Sequence, residues 1–189
     1  MAVTNDAELA DRMRLLRSHG ITRDPGQMRN MPPGGWYYEQ LDLGFNYRMT
    51  DIQAALGTSQ MRRIDDMVSR RHLLSSRYQE KLAHLPVTLL KQHPDAYSAC
   101  HLFVARIDRS KTPVSRETVF DRMRASDIGV NVHYIPVHTQ PYYRELGFRS
   151  GNFAAAERHY QEAISLPLFP GLGEESQDFV VQTLADSLS

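Results

Sequence analysis

The apolar positions of this chain change their spacing along its length. Leu9, Met13 and Leu16 recur at three- and four-residue intervals with basic residues between them, which predicts a helix. Asn5-Asp6-Ala7-Glu8 reads as its capping box, with Asn5 accepting from an early amide and Glu8 reaching back to the Asn5 amide. Gly20 suits the helix stop. Ahead of this helix, Met1 to Thr4 reads as a short strand, an internal element of something longer rather than the first element of an independent domain. No period survives from residue 23 to 48, where Pro25, Gly26, Pro32, Pro33, Gly34 and Gly35 lead into Trp36-Tyr37-Tyr38. A loop of that length and aromatic content is either functional or an interface, or else a surface loop pinned by its rings.

Thr50-Asp51-Ile52-Gln53 is a second capping box. It opens a helix with Ile52, Ala55 and Leu56 on one face. Ile64, Val68, Tyr78 and Leu82 predict another helical stretch after a bend around Gln60 to Asp65, ended by Pro86. Beyond it the element types alternate. Leu102 to Ile107 is a strand candidate, and Ser115 caps a helix carrying Val119, Phe120 and Met123. Gly129 to Val132 is a short strand, residues 133 to 151 a His/Tyr/Pro loop, and Asn152 caps a helix running to Ile164. Ser165 to Leu168 is a further short strand, Pro170-Gly171 a turn, and Glu174 to Leu188 the last helix, its first-turn acids suiting the helix dipole. The pattern is α/β in the α+β sense: a small mixed or antiparallel sheet, several helices, one of them long. It divides into an N-terminal part, 1–50, a long helical connection, 51–84, and a C-terminal domain, 85–189.

Composition changes the picture by exclusion. The 189 residues carry 22 basic and 22 acidic side chains, which gives no field to hold a nucleic acid or an anionic membrane. No apolar run approaches the ~18 residues of a spanning helix, and no secretory leader is visible. The single Cys100 cannot form an internal disulfide, so a reducing cytoplasm is the expected compartment.

Two segments carry candidate chemistry. In Gly44-Phe45-Asn46-Tyr47-Arg48-Met49-Thr50-Asp51, an amide and a guanidinium precede a capped helix start, a place suited to a phosphate. Alternatively Asn46 shapes a turn and Arg48 pairs with Asp42 or Asp51. In Asn131-Val132-His133-Tyr134-Ile135-Pro136-Val137-His138-Thr139-Gln140-Pro141-Tyr142-Tyr143, the polar rings either line a pocket or stiffen a connector. The His133 to His138 spacing fits no metal site, and Cys100 has no partner for nucleophilic work.

Leu15-Leu16-Arg17-Ser18-His19-Gly20-Ile21, and Trp36-Tyr37-Tyr38 through Gly44-Phe45-Asn46-Tyr47-Arg48-Met49-Thr50-Asp51-Ile52-Gln53-Ala54-Ala55, closely resemble the DegT/DnrJ/EryC1/StrS family of pyridoxal-phosphate (PLP) sugar aminotransferases. His133 to His138, Gln140 to Tyr143 and Ser165-Leu166-Pro167-Leu168 are similar to its later motifs, in the same order. The resemblance covers essentially the whole chain. The most similar subgroup is the transaminase of pseudaminic-acid biosynthesis, which aminates a UDP-linked keto-hexose. The resemblance implies the C-terminal part of the aspartate-aminotransferase-type fold, with glutamate as amino donor and active sites at a dimer interface. It implies that Asn46 reaches the PLP phosphate of the partner subunit, with Arg48 beside it, and that His138 faces the partner's sugar-nucleotide site, flanked by His133, Tyr134 and Tyr37.

The chain departs from the family at one point. In the family, the lysine that holds PLP covalently precedes a strand like Met1 to Thr4, and here the chain opens at that strand. Its lysines are Lys81, Lys91 and Lys111, none in a setting that activates an amine. No catalytic residue is therefore assigned, and the chain alone is expected to bind no PLP and to be inactive. It is expected to need an N-terminal half, or to persist as a self-associating, non-catalytic binding or structural module.

Overall fold

The computed structural model describes residues 2–189. The chain divides into two compact units at Arg62–Arg63.

In the first unit, α1 (Ala7–Leu16) starts one residue later than the sequence suggested. Asp6, not Asn5, is the N-cap, and its carboxylate accepts the Leu9 amide at 3.1 Å. Asn and Asp cap equally well, so local sequence does not separate them. Ala2 to Thr4 form no strand, and Met1 lies outside the described residues. After α1, β1 (Ile21–Thr22) pairs antiparallel with β2 (Glu39–Gln40), inside the stretch expected to be wholly irregular. A two-residue pairing bridging a long loop leaves no periodicity to read. α2 (Asp51–Met61) begins with the expected box: the Thr50 hydroxyl accepts the Gln53 amide and the Gln53 carboxamide accepts the Thr50 amide. None of its residues is buried, and Ile52 is 84% exposed.

In the second unit, α3 (Ile64–Leu82) leads to a three-stranded antiparallel sheet ordered β3 (Val87–Leu89), β4 (Phe103–Ile107), β5 (Ala163–Leu166). Val87 pairs with Ile107, and Ala105 pairs with Leu89 on one side and Ile164 on the other. Strand β3 was not foreseen; it is a short edge strand directly after Pro86. The remaining elements are α4 (Arg116–Ala125), capped by Ser115 as expected, a 3₁₀ turn at Val137–Thr139, α5 (Pro141–Glu145), α6 (Ala154–Glu162) and α7 (Glu174–Ser187). The Gly129 to Val132 strand reduces to one bridge, Asn131 to Ser165. Asn152 does not cap α6; its side-chain carbonyl accepts the Arg149 amide and closes the preceding turn.

Alternation along β4 sends Phe103, Ala105 and Ile107 into the core. There they join Leu74, Tyr78 and Leu82 of α3, Val119 and Met123 of α4, and Val180 and Leu184 of α7. The Tyr78 ring lies 4.8 Å from that of Phe103, and its hydroxyl donates to the Pro167 carbonyl at 3.0 Å. Burial pushes the Tyr78 phenol upward. Gln177 is fully buried and donates to the Leu74 carbonyl at 2.7 Å. Among the described residues, no helix is long and apolar enough to cross a membrane.

Candidate functional site

The Asn46 segment is held by backbone against the end of α1. A helix C-terminus leaves carbonyls without intrahelical partners. Here the Leu16 carbonyl accepts the Phe45 amide at 2.7 Å and the Arg17 carbonyl accepts the Tyr47 amide at 3.0 Å. The His19 amide donates back to the Phe45 carbonyl at 2.8 Å. Two glycines allow this approach. Gly20 has φ +68°, and a Cβ on Gly44 would lie 2.2 Å from the Gly20 nitrogen. The residue expected as a helix stop is also a contact surface.

Asn46 and Arg48 project from this locked segment and are exposed. The Asn46 carbonyl oxygen accepts long contacts from the Arg48 guanidinium at 3.3 and 3.4 Å, and its amide group donates to no described residue. The expected alternative, Arg48 paired with an acid, does not occur. Asp42 is taken by Arg12 at 3.0 Å, and Arg48 forms no ion pair with any described residue. An exposed amide and a guanidinium held only by long contacts, on a fixed backbone, are donors of the kind a phosphate group requires.

Tyr37 is half-buried, and its hydroxyl donates to Glu39 at 3.1 Å. Glu39 is a buried carboxylate that also accepts the Arg29 and Asn30 amides and the Asn30 side chain. These hydrogen bonds, chiefly that of the Arg29 amide, hold its carboxyl below the ordinary range, and burial and Glu39 raise the Tyr37 phenol. Glu39 thus organises the loop that displays Trp36, Tyr37 and Tyr38. Sequence reasoning missed it because its partners lie up to ten residues away, inside an aperiodic stretch.

In the second unit, the His133 ring is tied through Nδ1 to the Ser165 hydroxyl of β5 at 2.7 Å. Tyr134 is 72% exposed, its ring edge-on to His133. His138 stands differently from the expectation. Its ring is only 7% exposed, with Phe153 at 4.8 Å and Nε2 at 2.8 Å from the Glu157 carboxylate. Glu157 also accepts the Ser150 hydroxyl at 2.9 Å and the Gly151 amide at 2.7 Å. Together these hold its carboxyl down to about 2, the His138 contact being the largest cause. Neither Glu157 nor Ser165 carries a local signal; each meets its histidine only through the fold.

The depressed Glu157 carboxyl sets a pH dependence. Its contribution to stability is complete above its ordinary value of 4.5 and is lost as pH falls from there through about 2. Urea titrations of the wild type and E157Q should differ most at neutral pH, converge below about pH 4.5 and coincide near pH 2. A gap of constant size across that range would contradict the assigned hydrogen bonds.

The comparisons with known proteins agree with this frame. The model of the DegT/DnrJ/EryC1/StrS aminotransferase family matches residues 1–185, and the chain belongs to that family. It is 36% identical to the spore coat polysaccharide biosynthesis protein SpsC of Bacillus subtilis, over 98% of this chain and 48% of that protein. It is similar to the structure of Helicobacter pylori PseC, an aminotransferase of pseudaminic acid biosynthesis, with a TM-score of 0.83 and 27% identity over 98% of this chain and 47% of that one. A Streptococcus pneumoniae structure named as a sugar aminotransferase, Spr1654 in its PMP form, gives a TM-score of 0.84 at 28% identity over 99% and 46%. The fold is thus the C-terminal part of a PLP-dependent aminotransferase, and PLP is the cofactor of the family. The chain spans about half the length of the relatives it matches.

Proposed function

We propose that this chain supplies one side of a nucleotide-sugar aminotransferase active site and that the PLP-bearing lysine comes from residues outside these 189. The observation that carries the reading is the exposed donor pair of Asn46 and Arg48, joined only by long contacts, on the segment locked by Gly20 and Gly44. Asn46 donates its amide, and Arg48 its guanidinium, to the cofactor phosphate presented by a partner subunit. PLP, when bound, supplies the electron sink for amino transfer. His138, His133 and Tyr134 of the second unit bind and orient the sugar nucleotide, and Tyr37 of the first unit is assigned the same role. Its class is a UDP-linked keto-hexose and the amino donor glutamate, as the resemblance to the family implies.

A homodimer or a higher assembly would complete the site. Phe45, Tyr47, Met49, Ile52 and Leu56, all on the Asn46 segment and α2, are exposed. A cluster of apolar side chains around polar site residues is what a covering polypeptide requires.

None of the chain's own lysines suits covalent attachment. Lys81 pairs with Asp178 at 2.5 Å and Lys111 with Asp108 at 3.3 Å, and Lys91 is exposed. A hydrated ammonium is a poor nucleophile. Incubation of this chain with PLP and borohydride should therefore give only partial labelling of exposed amines and no saturable modification of Lys81, Lys91 or Lys111 by peptide mass analysis. Stoichiometric pyridoxylation of any one of them would overturn the reading.

A further inference from the structure

The Glu157 carboxylate binds His138 in a way that decides which atom of the imidazole is offered to a ligand. An ionised carboxylate only accepts hydrogen bonds, so the His138 Nε2 at 2.8 Å must carry a proton. The Ser150 hydroxyl and the Gly151 amide occupy the same carboxylate and keep it in the anionic, accepting form. Phe153 packs on the ring and opposes its rotation. Although the residue as a whole is buried, Nδ1 makes no hydrogen bond to a described residue and is not among the fully buried unpaired atoms, so it is the ring nitrogen left free for a ligand.

We propose that Glu157 is the positioning residue of His138: it fixes the proton on Nε2 and so presents Nδ1 as a hydrogen-bond acceptor for a hydroxyl of the sugar nucleotide. The proposal rests on the reading of His138 as a substrate contact. A lone-pair acceptor selects hydroxyl donors, where the opposite tautomer would offer an N–H and select acceptors. Ser150 and Gly151 tie the 149–152 turn to the same carboxylate, so the turn and the tautomer are set together. Glu157 touches no reacting atom in this scheme and acts only through His138.

The test has two readouts. Nitrogen-15 correlation spectra of the full chain at pH 8, with His138 assigned through H138N, should show the ring proton on Nε2, shifted downfield by the carboxylate. In E157A that downfield signal should vanish, and in E157Q, whose carboxamide oxygen is a weaker, uncharged acceptor, it should move upfield. A wild-type proton on Nδ1, or an unchanged signal in both variants, would overturn the proposal. In enzyme reconstituted with a lysine-bearing half, E157A should raise KM for the sugar nucleotide about tenfold, the scale of one hydrogen bond. E157Q and E157D, which keep an accepting oxygen, should recover part of the loss. An impaired H138N beside an unimpaired E157A would sink the positioning role. If H138N itself leaves KM unchanged while the spectra are as expected, the substrate-contact reading falls, and the tautomer assignment is untouched.

Discussion

Replacing Gly44 by alanine is expected to detach the Asn46 segment from α1. The new Cβ would lie 2.2 Å from the Gly20 nitrogen, 2.4 Å from the His19 carbonyl carbon and 2.7 Å from the Leu16 oxygen, all backbone atoms that no rotamer change can move. The two strands of chain must separate. The hydrogen bonds linking Phe45 to Leu16, Phe45 to His19 and Tyr47 to Arg17 are then lost. At roughly 0.5–1.5 kcal/mol each, the loss is about 3 kcal/mol for the first unit. Amide exchange at His19, Phe45 and Tyr47 should accelerate by about two orders of magnitude. G57A is the control: its Cβ meets nothing within 4 Å inside α2, and alanine there should stabilise by about 0.5–1 kcal/mol. Equal exchange rates in wild type and G44A would show that the close approach is not what holds the segment.

In the second unit, the largest effect is expected from Tyr78→Ala. The side chain is fully buried against Phe103, its neighbours in the core come from several elements, and its hydroxyl satisfies the Pro167 carbonyl. Truncating an aromatic of this size in a packed core costs about 3–5 kcal/mol, because the cavity does not fully collapse. Y78F keeps the packing and leaves the carbonyl unpaired, at a cost of about 1–2 kcal/mol. Far-UV circular dichroism in urea should therefore give midpoints in the order wild type, Y78F, Y78A. Trp36 fluorescence would be the wrong probe, since that residue belongs to the first unit. A Y78A midpoint within error of wild type would contradict the core assignment.

The legible part of this protein is what its local patterns encode. The Thr50 box, the Ser115 cap, the break between α2 and α3 and the core strand at Phe103–Ile107 all follow from spacing and capping chemistry within a few residues. The illegible part needs long-range pairing. Strands β1 and β2 are two residues each and meet across a long loop. Glu157 meets His138 from another element, and Ser165 meets His133 across 32 positions. The sequence placed Asn46 and Arg48 just before a capped helix, and there they stand, exposed. What that place did not reveal was Gly44 crossing Gly20, because a backbone contact has no side-chain pattern. For His138 the sequence marked the residue but not its orientation: its ring is buried, with Nε2 on Glu157.

On the proposed reading this chain takes a supporting share of the chemistry rather than the covalent step. Apolar side chains around Asn46 are exposed, and among the described residues the Asn46 amide and the Arg48 guanidinium have no acceptor beyond the Arg48 contact with the Asn46 carbonyl.

The most direct measurement is co-expression of this chain with the N-terminal half of a family member that carries the PLP lysine, followed by borohydride reduction and mass analysis of the PLP adduct. The expected result is one PLP per pair, fixed on the added half's lysine, with PLP affinity falling at least tenfold in N46A, the loss of one charge-assisted hydrogen bond. PLP bound with equal affinity by wild type and N46A, or fixed on Lys81, Lys91 or Lys111, would contradict the account.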